Sequence, residues 1–312
     1  MTEGASARTT VTVQVDGQRL LLTNLGKVLY PSAGTTKAEV MQYLSAVAPA
    51  LLPQLRDRLL TRVRWPHGTD AQSFFEKNVP AGAPSWVRRV VIESESSRRG
   101  HEFVSYPVID DLAGLTWLAN LAALELHVHQ WRVDEQGTPL VPDRLVVDLD
   151  PGPGAGLAEC SQVALLVRDA LTPVLPGPVV PVTSGNKGMQ LYAPTPMLRD
   201  PDGTRALAQG LAEALAAAHP LLVTSRMTKT LRPGKVFLDW SQNTRAKTTI
   251  CPYSLRGRGG SPTVAAPRTW DEVEAAADDR LAPMTQLAPR AVLERLHRLG
   301  DLMETPRPPT SR

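Results

Sequence analysis

Cysteine is nearly absent from this chain. Cys160 and Cys251 are its two cysteines in 312 residues, and neither has a second Cys or a His at zinc-ligand spacing. They read as buried thiols in a reducing compartment rather than as a zinc site. Long apolar runs are missing too: the Ala/Leu-rich stretch 207–218 is short for a membrane span and is interrupted by Gln209 and Glu213. The first residues, Met-Thr-Glu-Gly-Ala-Ser-Ala-Arg, lack the charged-then-apolar order of a secretory signal. No internal repeat is visible. These absences point to a cytoplasmic protein without a membrane partner. An apolar fraction of 42% is ordinary for a soluble protein, and 312 residues suffice for one large domain or two smaller ones sharing an interface.

What the chain does have is charge in one place. The net charge of +3 is modest, yet residues 226–258 hold eight bases and the single acid Asp239. Such a patch is the electrostatic footprint of a polyanion site, although a merely solvated basic face is the plainer alternative.

Alternating and 3.6-residue patterns place the elements. Val11-Thr-Val-Gln-Val15 alternates as a strand and turns at Asp16-Gly17. Thr36-Lys-Ala-Glu39 is a capping box opening an amphipathic helix through Met41, Leu44 and Val47. Asp110 or Asp111 caps a helix carrying Leu112, Leu115, Leu118 and Leu121. A strand through His127 and His129 follows, then a strand ending at Asp150 and a helix over 157–171. Residues 179–183 and 189–192 form a hairpin around Ser184-Gly-Asn-Lys-Gly188, a helix covers about 204–218, and residues 236–240 are a last core strand. The Gly/Pro/Ser-rich stretch 257–267 reads as a linker, and a helix near 290–299 ends at Gly300. Hairpins mixed with βα steps predict an α+β fold.

The most telling motif is Leu145-Val-Val-Asp148-Leu-Asp150-Pro-Gly. Residues i and i+2 of a strand share a face, so Asp148 and Asp150 project side by side. Their repulsion is relieved by a divalent cation, the ion of much phosphate chemistry; an exposed strand residue followed by a turn-starting Asp is the plainer alternative. With Asp239 they make three acids at strand ends, the carboxylates a two-metal phosphoryl-transfer site needs. Arg232 and Lys235 can neutralise phosphates beside Asp239. The Ser184–Gly188 turn can cradle phosphate, although most such sequences are ordinary hairpin turns. His127 and His129 can pair as metal ligands on one strand face, although such histidines more often pack or bind phosphate.

These residues resemble a family. His127-Val-His-Gln-Trp131, Val147-Asp-Leu-Asp-Pro-Gly152, Thr183-Ser-Gly-Asn-Lys-Gly188 and Val236-Phe-Leu-Asp-Trp-Ser-Gln-Asn243 occur in the order found in the polymerase domain of bacterial non-homologous end-joining DNA ligases. That domain belongs to the archaeo-eukaryotic primase superfamily. The likeness extends from about residue 22 to 258 and includes Leu25-Gly-Lys-Val-Leu-Tyr-Pro31 and Ser73-Phe-Phe-Glu-Lys-Asn78. It implies an archaeo-eukaryotic primase-like catalytic core of mixed and antiparallel sheets flanked by helices. Two packed α/β modules would form one catalytic domain over 11–300, between a disordered 1–10 and a Pro-rich tail, 301–312.

The resemblance further implies that Asp148, Asp150 and Asp239 bind two catalytic ions, Mn2+ or Mg2+. His127, Ser184, Lys187 and Arg232 would grip the phosphates of a nucleoside triphosphate, and Arg256 would add a basic contact. Phe74 and Phe75 would offer a stacking surface; adjacent aromatics on opposite strand faces cannot both be buried on one side. Lys27 and Lys37 would hold the 5′-phosphate across a DNA gap, with Lys37 in a helix first turn whose free N–H groups favour an anion.

The chain departs from the family at two places. Val63-Arg64 stands before Trp65-Pro66 where the family has Lys-Arg, and Gln190 stands where a histidine is common. These put nucleotide affinity and sugar preference at issue. A Lys-x-Asp-Gly ligase signature is lacking, so the expectation is a stand-alone primase-polymerase. It would act in the nucleoid-associated cytoplasm on gapped or broken DNA, prefer ribonucleotides, and work with a separate ATP-dependent DNA ligase and a Ku-type end-binding protein. The competing readings are a manganese-dependent glycosyltransferase, which the basic patch and Lys27/Lys37 oppose, and a catalytically weakened DNA-end-binding module, which the three acids oppose.

Overall fold

Two sheets carry the motif-bearing strands into the middle of the molecule. In the computed structural model, residues 9–96, 100–196, 198, 200, 202–278 and 283–304 are described. The larger sheet has six strands in the order Val223–Thr224, Val236–Asp239, Arg144–Pro151, Met189–Pro194, Val180–Thr183 and Ala266–Pro267. Its first pair is parallel and the others antiparallel. The second sheet orders Thr249–Ile250, Ala123–Val128, Leu60–Arg64 and Phe74–Glu76. Helices flank both, which makes the fold α+β.

Alternation along Arg144–Pro151 explains how the central strand is anchored. Leu145, Val147 and Leu149 enter a core shared with helices Leu157–Leu171 and Gly203–Ala218. Val146, Asp148 and Asp150 therefore face the other way. Leu149 is fully buried between the two acids, so Leu149→Ala would cost about 2–5 kcal/mol and loosen both. In the second sheet Leu124, Leu126 and Val128 pack with helices Lys37–Leu55 and Leu112–Asn120, which turns Glu125 and His127 to the opposite face. Ile250 meets Val146, Val182 and Tyr192 between the sheets. Beyond that small core, a cleft opens.

Local signals set the helix starts. Thr36 and Glu39 form the capping box, and Asp111 Oδ1 accepts from Gly114 N at 2.7 Å; each such cap contributes ~1 kcal/mol.

Residues 257–267 are a correction. They are no linker: Val264, Ala265 and Ala266 are buried, and strands Thr263–Val264 and Ala266–Pro267 lie within the stretch. Tertiary pairing with Thr183 overrides its loop-like composition. Hairpin Arg89–Ser96/Gly100–Pro107 and helix Trp270–Ala277 had no counterpart in the sequence-based expectation. Of the expected disordered N-terminus, residues 1–8 lie outside the described residues, while Thr10 already pairs with Thr23. Residues 305–312 of the expected tail also lie outside; Asp301 before them accepts from Tyr253 Oη. Among the described residues no helix is long and apolar enough to cross a membrane.

Candidate active site

Asp148 sits opposite Asp239 on one neighbouring strand and opposite Gln190 on the other. Gln190 Nε2 donates to Asp148 Oδ1 at 3.1 Å, while Gln190 Oε1 accepts from Tyr192 Oη at 2.9 Å. Burial, then the charge of Asp150, push the Asp148 carboxyl up to about 8. Burial and Asp239 raise Asp150 as well. Hard oxygen donors with excess negative potential are a fit for a divalent cation.

Asp239 is differently placed. Its Oδ1 accepts from Ser241 N at 3.0 Å and from Ser241 Oγ, and its Oδ2 accepts from Gln242 Nε2 at 2.9 Å. Lys247 Nζ lies 3.8 Å from Oδ2. Among the described residues no three His, Cys, Asp or Glu side chains converge as a ready-made metal cage. Asp148 and Asp150 line the cleft; Asp239 flanks it with its oxygens turned to the following loop.

The cleft has a volume of about 320 Å³ and is lined by His127, Asp148, Asp150, Ser184, Lys187, Arg232 and Arg256 among others. Seven residues singled out from distant parts of the sequence thus share one wall system. The Ser184–Gly188 hairpin closes with Ser184 N donating to Gly188 O at 3.0 Å. A Cβ at Gly188 would lie 2.1 Å from Leu149 O, so only glycine lets the hairpin lie against the acid-bearing strand. Lys187 is exposed at the tip. A Cβ at Gly152 would meet Arg232 O at 1.9 Å, so the Asp-Pro-Gly turn lets the arginine's backbone approach Asp150. The Arg232 guanidinium lies 3.7 Å over the Phe237 ring, a cation–π contact that fixes its plane.

Glu125 orders the opposite wall. It is 5% exposed; its Oε2 contacts His127 Nε2 at 2.9 Å and Arg256 Nη1 at 3.4 Å, and its Oε1 accepts from Gly257 N at 3.1 Å. Burial would raise its carboxyl, but the His127 hydrogen bond and the Arg256 charge outweigh it and hold the group below the usual range.

Other expected residues lie elsewhere. His129 follows the end of its strand and is buried, with its ring 4.6 Å from Trp131 and its Nδ1 3.3 Å from Leu59 O. Burial pushes it down to about 4, and it does not pair with His127. Lys235 does not join Arg232: its Nζ donates to Pro220 O at 2.5 Å.

Phe74 and Phe75 are 40% and 61% exposed on the edge strand of the second sheet, two strands from His127 and outside the cleft. Register pairs Phe75 with Val63 and Val63 with Glu125. These three share the His127 face, and Phe74 takes the other.

The helix that starts at Lys37 has no free first-turn amides for an anion. Lys37 N donates to Lys27 O at 2.8 Å, Ala38 N to Leu25 O at 3.0 Å and Glu39 N to Thr36 Oγ1 at 3.3 Å. Lys37 is buried, and its Nζ donates to Thr23 O at 2.7 Å. The two lysines are adjacent through their backbones, so any phosphate contact must come from their side chains.

Sequence reasoning missed Glu125, the Gln190–Asp148 bond, and Gln286, which accepts from Gly185 N at 2.7 Å and donates to Gly188 O at 3.2 Å. Only Glu125, alternating with His127 on a strand, carried a local signal.

Comparison with known proteins adds to the geometry. The family profile described as "LigD, primase-polymerase domain" matches residues 36–303. The chain is 48% identical over 293 residues to the "Multifunctional non-homologous end joining DNA repair protein LigD" of Mycobacterium tuberculosis, covering 92% of this chain and 37% of that protein. To the "Bifunctional non-homologous end joining protein LigD" of Bacillus subtilis it is 36% identical over 262 residues, 82% of this chain and 40% of that protein. The chain thus spans well under half the length of these curated relatives. The solved "Polymerase Domain from Mycobacterium tuberculosis Ligase D in complex with DNA" has a TM-score of 0.84 and 46% identity, over 91% of this chain and 96% of that chain.

Proposed function

Because the chain belongs to the LigD primase-polymerase domain family and is a nucleotidyltransferase of that type, we propose that it extends primer 3′ ends at short gaps or broken DNA ends in non-homologous end-joining repair. The observation that carries this reading is the single cleft in which Asp148 and Asp150 face Ser184, Lys187 and Arg232. Acids on one side and phosphate donors on the other are what a nucleoside triphosphate requires.

In the proposed reaction the primer 3′-hydroxyl displaces pyrophosphate from the α-phosphate. Lys187 and Arg232 bind the β- and γ-phosphates and balance the charge on the leaving pyrophosphate, each charge-assisted contact contributing ~1.5–3 kcal/mol. Ser184 donates its hydroxyl to the same group. Glu125 fixes the His127 ring through Nε2 and leaves Nδ1 for the nucleotide; through Arg256 it also sets the basic wall. Asp148, Asp150 and Asp239 would hold two Mn2+ (or Mg2+) ions, with Asp239 turning from Ser241 and Lys247. When bound, these ions supply charge neutralisation and a more acidic hydroxyl.

Among the described residues the cleft is lined by no Phe, Tyr or Trp. A 2′-hydroxyl therefore meets no bulky aromatic, which leaves room for the ribonucleotide preference that the family resemblance implies. A strand leaving the cleft over Glu125 and Val63 reaches Phe75 for stacking, and Lys27 and Lys37 take the 5′-phosphate beyond the gap. A Ku-type end-binding protein and an ATP-dependent DNA ligase are the proposed partners.

The test is primer extension with manganese on gapped and blunt duplexes, with ribo- and deoxyribonucleotides in competition. Extension at gaps with ribonucleotides favoured is expected. Absence of any extension would overturn the proposed reaction, and a strong deoxyribonucleotide preference would overturn the sugar assignment.

A further inference from the structure

Four residues before Asp148, on the same strand face, lies a buried arginine that makes no direct ion pair. Arg144 is 8% exposed. Its Nε donates to Gln130 Oε1 at 2.6 Å and its Nη1 to Gln54 Oε1 at 2.9 Å, both neutral amides. Its Nη2 is buried without a hydrogen-bond partner. The guanidinium covers the Tyr192 ring at 4.9 Å.

Two further arginines converge on the same cavity. Arg58, 1% exposed, and Arg132 share a single carboxylate, Asp143: Arg58 Nη2 reaches Oδ2 at 2.7 Å and Arg132 Nε reaches it at 2.8 Å. Glu304 stands exposed at the rim, with no ion pair to any of the three. The cavity has a volume of about 190 Å³. Burial, and then the charge of Arg144, push the Arg58 guanidinium down to about 9 even with Asp143 in place. Three guanidinium groups around the one carboxylate of Asp143 leave an excess of positive charge, which an anionic ligand would most simply balance.

We infer that this cavity is a second anion site, which takes one phosphate-type oxyanion between Arg144 and Arg132, apart from the nucleotide cleft. Its volume admits a phosphate group but lies below the ~300 Å³ at which pockets begin to accept larger organic ligands. Guanidinium groups supply the forked donors such an anion requires. Tyr192 lies between the two sites: its ring meets Arg144 and its hydroxyl meets Gln190, the donor to Asp148. The phosphate can come from solution or from a DNA strand.

The test is thermal unfolding of the full chain against inorganic phosphate at constant ionic strength. It is run in a Lys187→Ala/Arg232→Ala background that silences the cleft. Phosphate is expected to raise Tm in that background, with its half-effective concentration increased roughly tenfold or more by Arg144→Gln. Arg132→Gln, at a partly exposed position outside the cores, should act in the same direction and decides the matter if Arg144→Gln does not fold. Binding of a 5′-phosphorylated duplex separates the sources. A loss in Arg132→Gln identifies DNA as the carrier, whereas an unchanged affinity beside a weakened phosphate response identifies free phosphate; either pattern supports the site. No phosphate stabilisation in the double-variant background, or the same response in Arg132→Gln, overturns it.

Discussion

Gln190 Nε2 holds Asp148 Oδ1 at 3.1 Å, and Gln190 is itself held by Tyr192 Oη at 2.9 Å. A neutral amide therefore supports the ionised form of the acid that burial and Asp150 push toward protonation. A hydrogen bond to a charged group contributes ~1.5–3 kcal/mol. Gln190→Ala is expected to raise the manganese concentration needed for half-maximal extension by roughly tenfold. A metal titration of primer extension checks this, and an unchanged midpoint would contradict it.

Register separates the two adjacent phenylalanines. Phe75 shares the face of Val63, Glu125 and His127, and Phe74 does not. Removing a base-stacking aromatic costs about 1–3 kcal/mol. Phe75→Ala should therefore weaken gapped-DNA binding by roughly tenfold and Phe74→Ala by much less. Equal losses would remove the proposed strand path.

How much of this was legible in the sequence depended on range. Asp148 and Asp150 were readable because strand alternation is a local rule, and the Thr36 capping box and the Asp111 cap because caps are local too. Burial of residues 264–267 was not readable. The Gly, Pro and Ser just before them are loop-like in composition, whereas their structure is set by contacts such as Val264 N with Leu287 O and Ala265 N with Ser254 O. The Gln286 contacts on the Ser184–Gly188 hairpin span about a hundred positions, and no local pattern announces such a pairing. Lys37 was misjudged in one respect: its position at a helix start was clear, but the Lys27 and Thr23 carbonyls that occupy its amide and ammonium were not.

Acid titration gives a signed stability prediction. The Asp148 carboxyl is raised from its usual 3.8 to about 8 in the fold. Its contribution is fully present below the unfolded value and is lost as pH rises through the folded one. Metal-free protein should thus lose stability between about pH 4 and 8 relative to Asp148→Asn, and manganese should restore it at the upper end by binding the ionised form. Melting curves across that range check the sign. A wild-type stability that rises relative to Asp148→Asn over the same interval would contradict it.

Lys27 carries the proposed 5′-phosphate contact with less structural duty than Lys37, whose Nζ serves Thr23 O. A downstream 5′-phosphate is expected to raise gapped-DNA affinity about tenfold, and the gain should shrink with salt. Lys27→Ala should remove most of that gain. Equal affinity for 5′-phosphate and 5′-hydroxyl gaps in the wild type would remove the pocket.

In the proposed reaction nucleotide addition runs at Asp148 while DNA is held by basic side chains elsewhere. The most direct measurement pairs single-nucleotide extension with DNA affinity for wild type and Asp148→Asn on one gapped, 5′-phosphorylated duplex in manganese. Extension should fall by ~10³-fold or more while DNA affinity stays within about twofold. Near-wild-type extension by Asp148→Asn, or a loss of DNA binding as large as the loss of extension, would contradict the account.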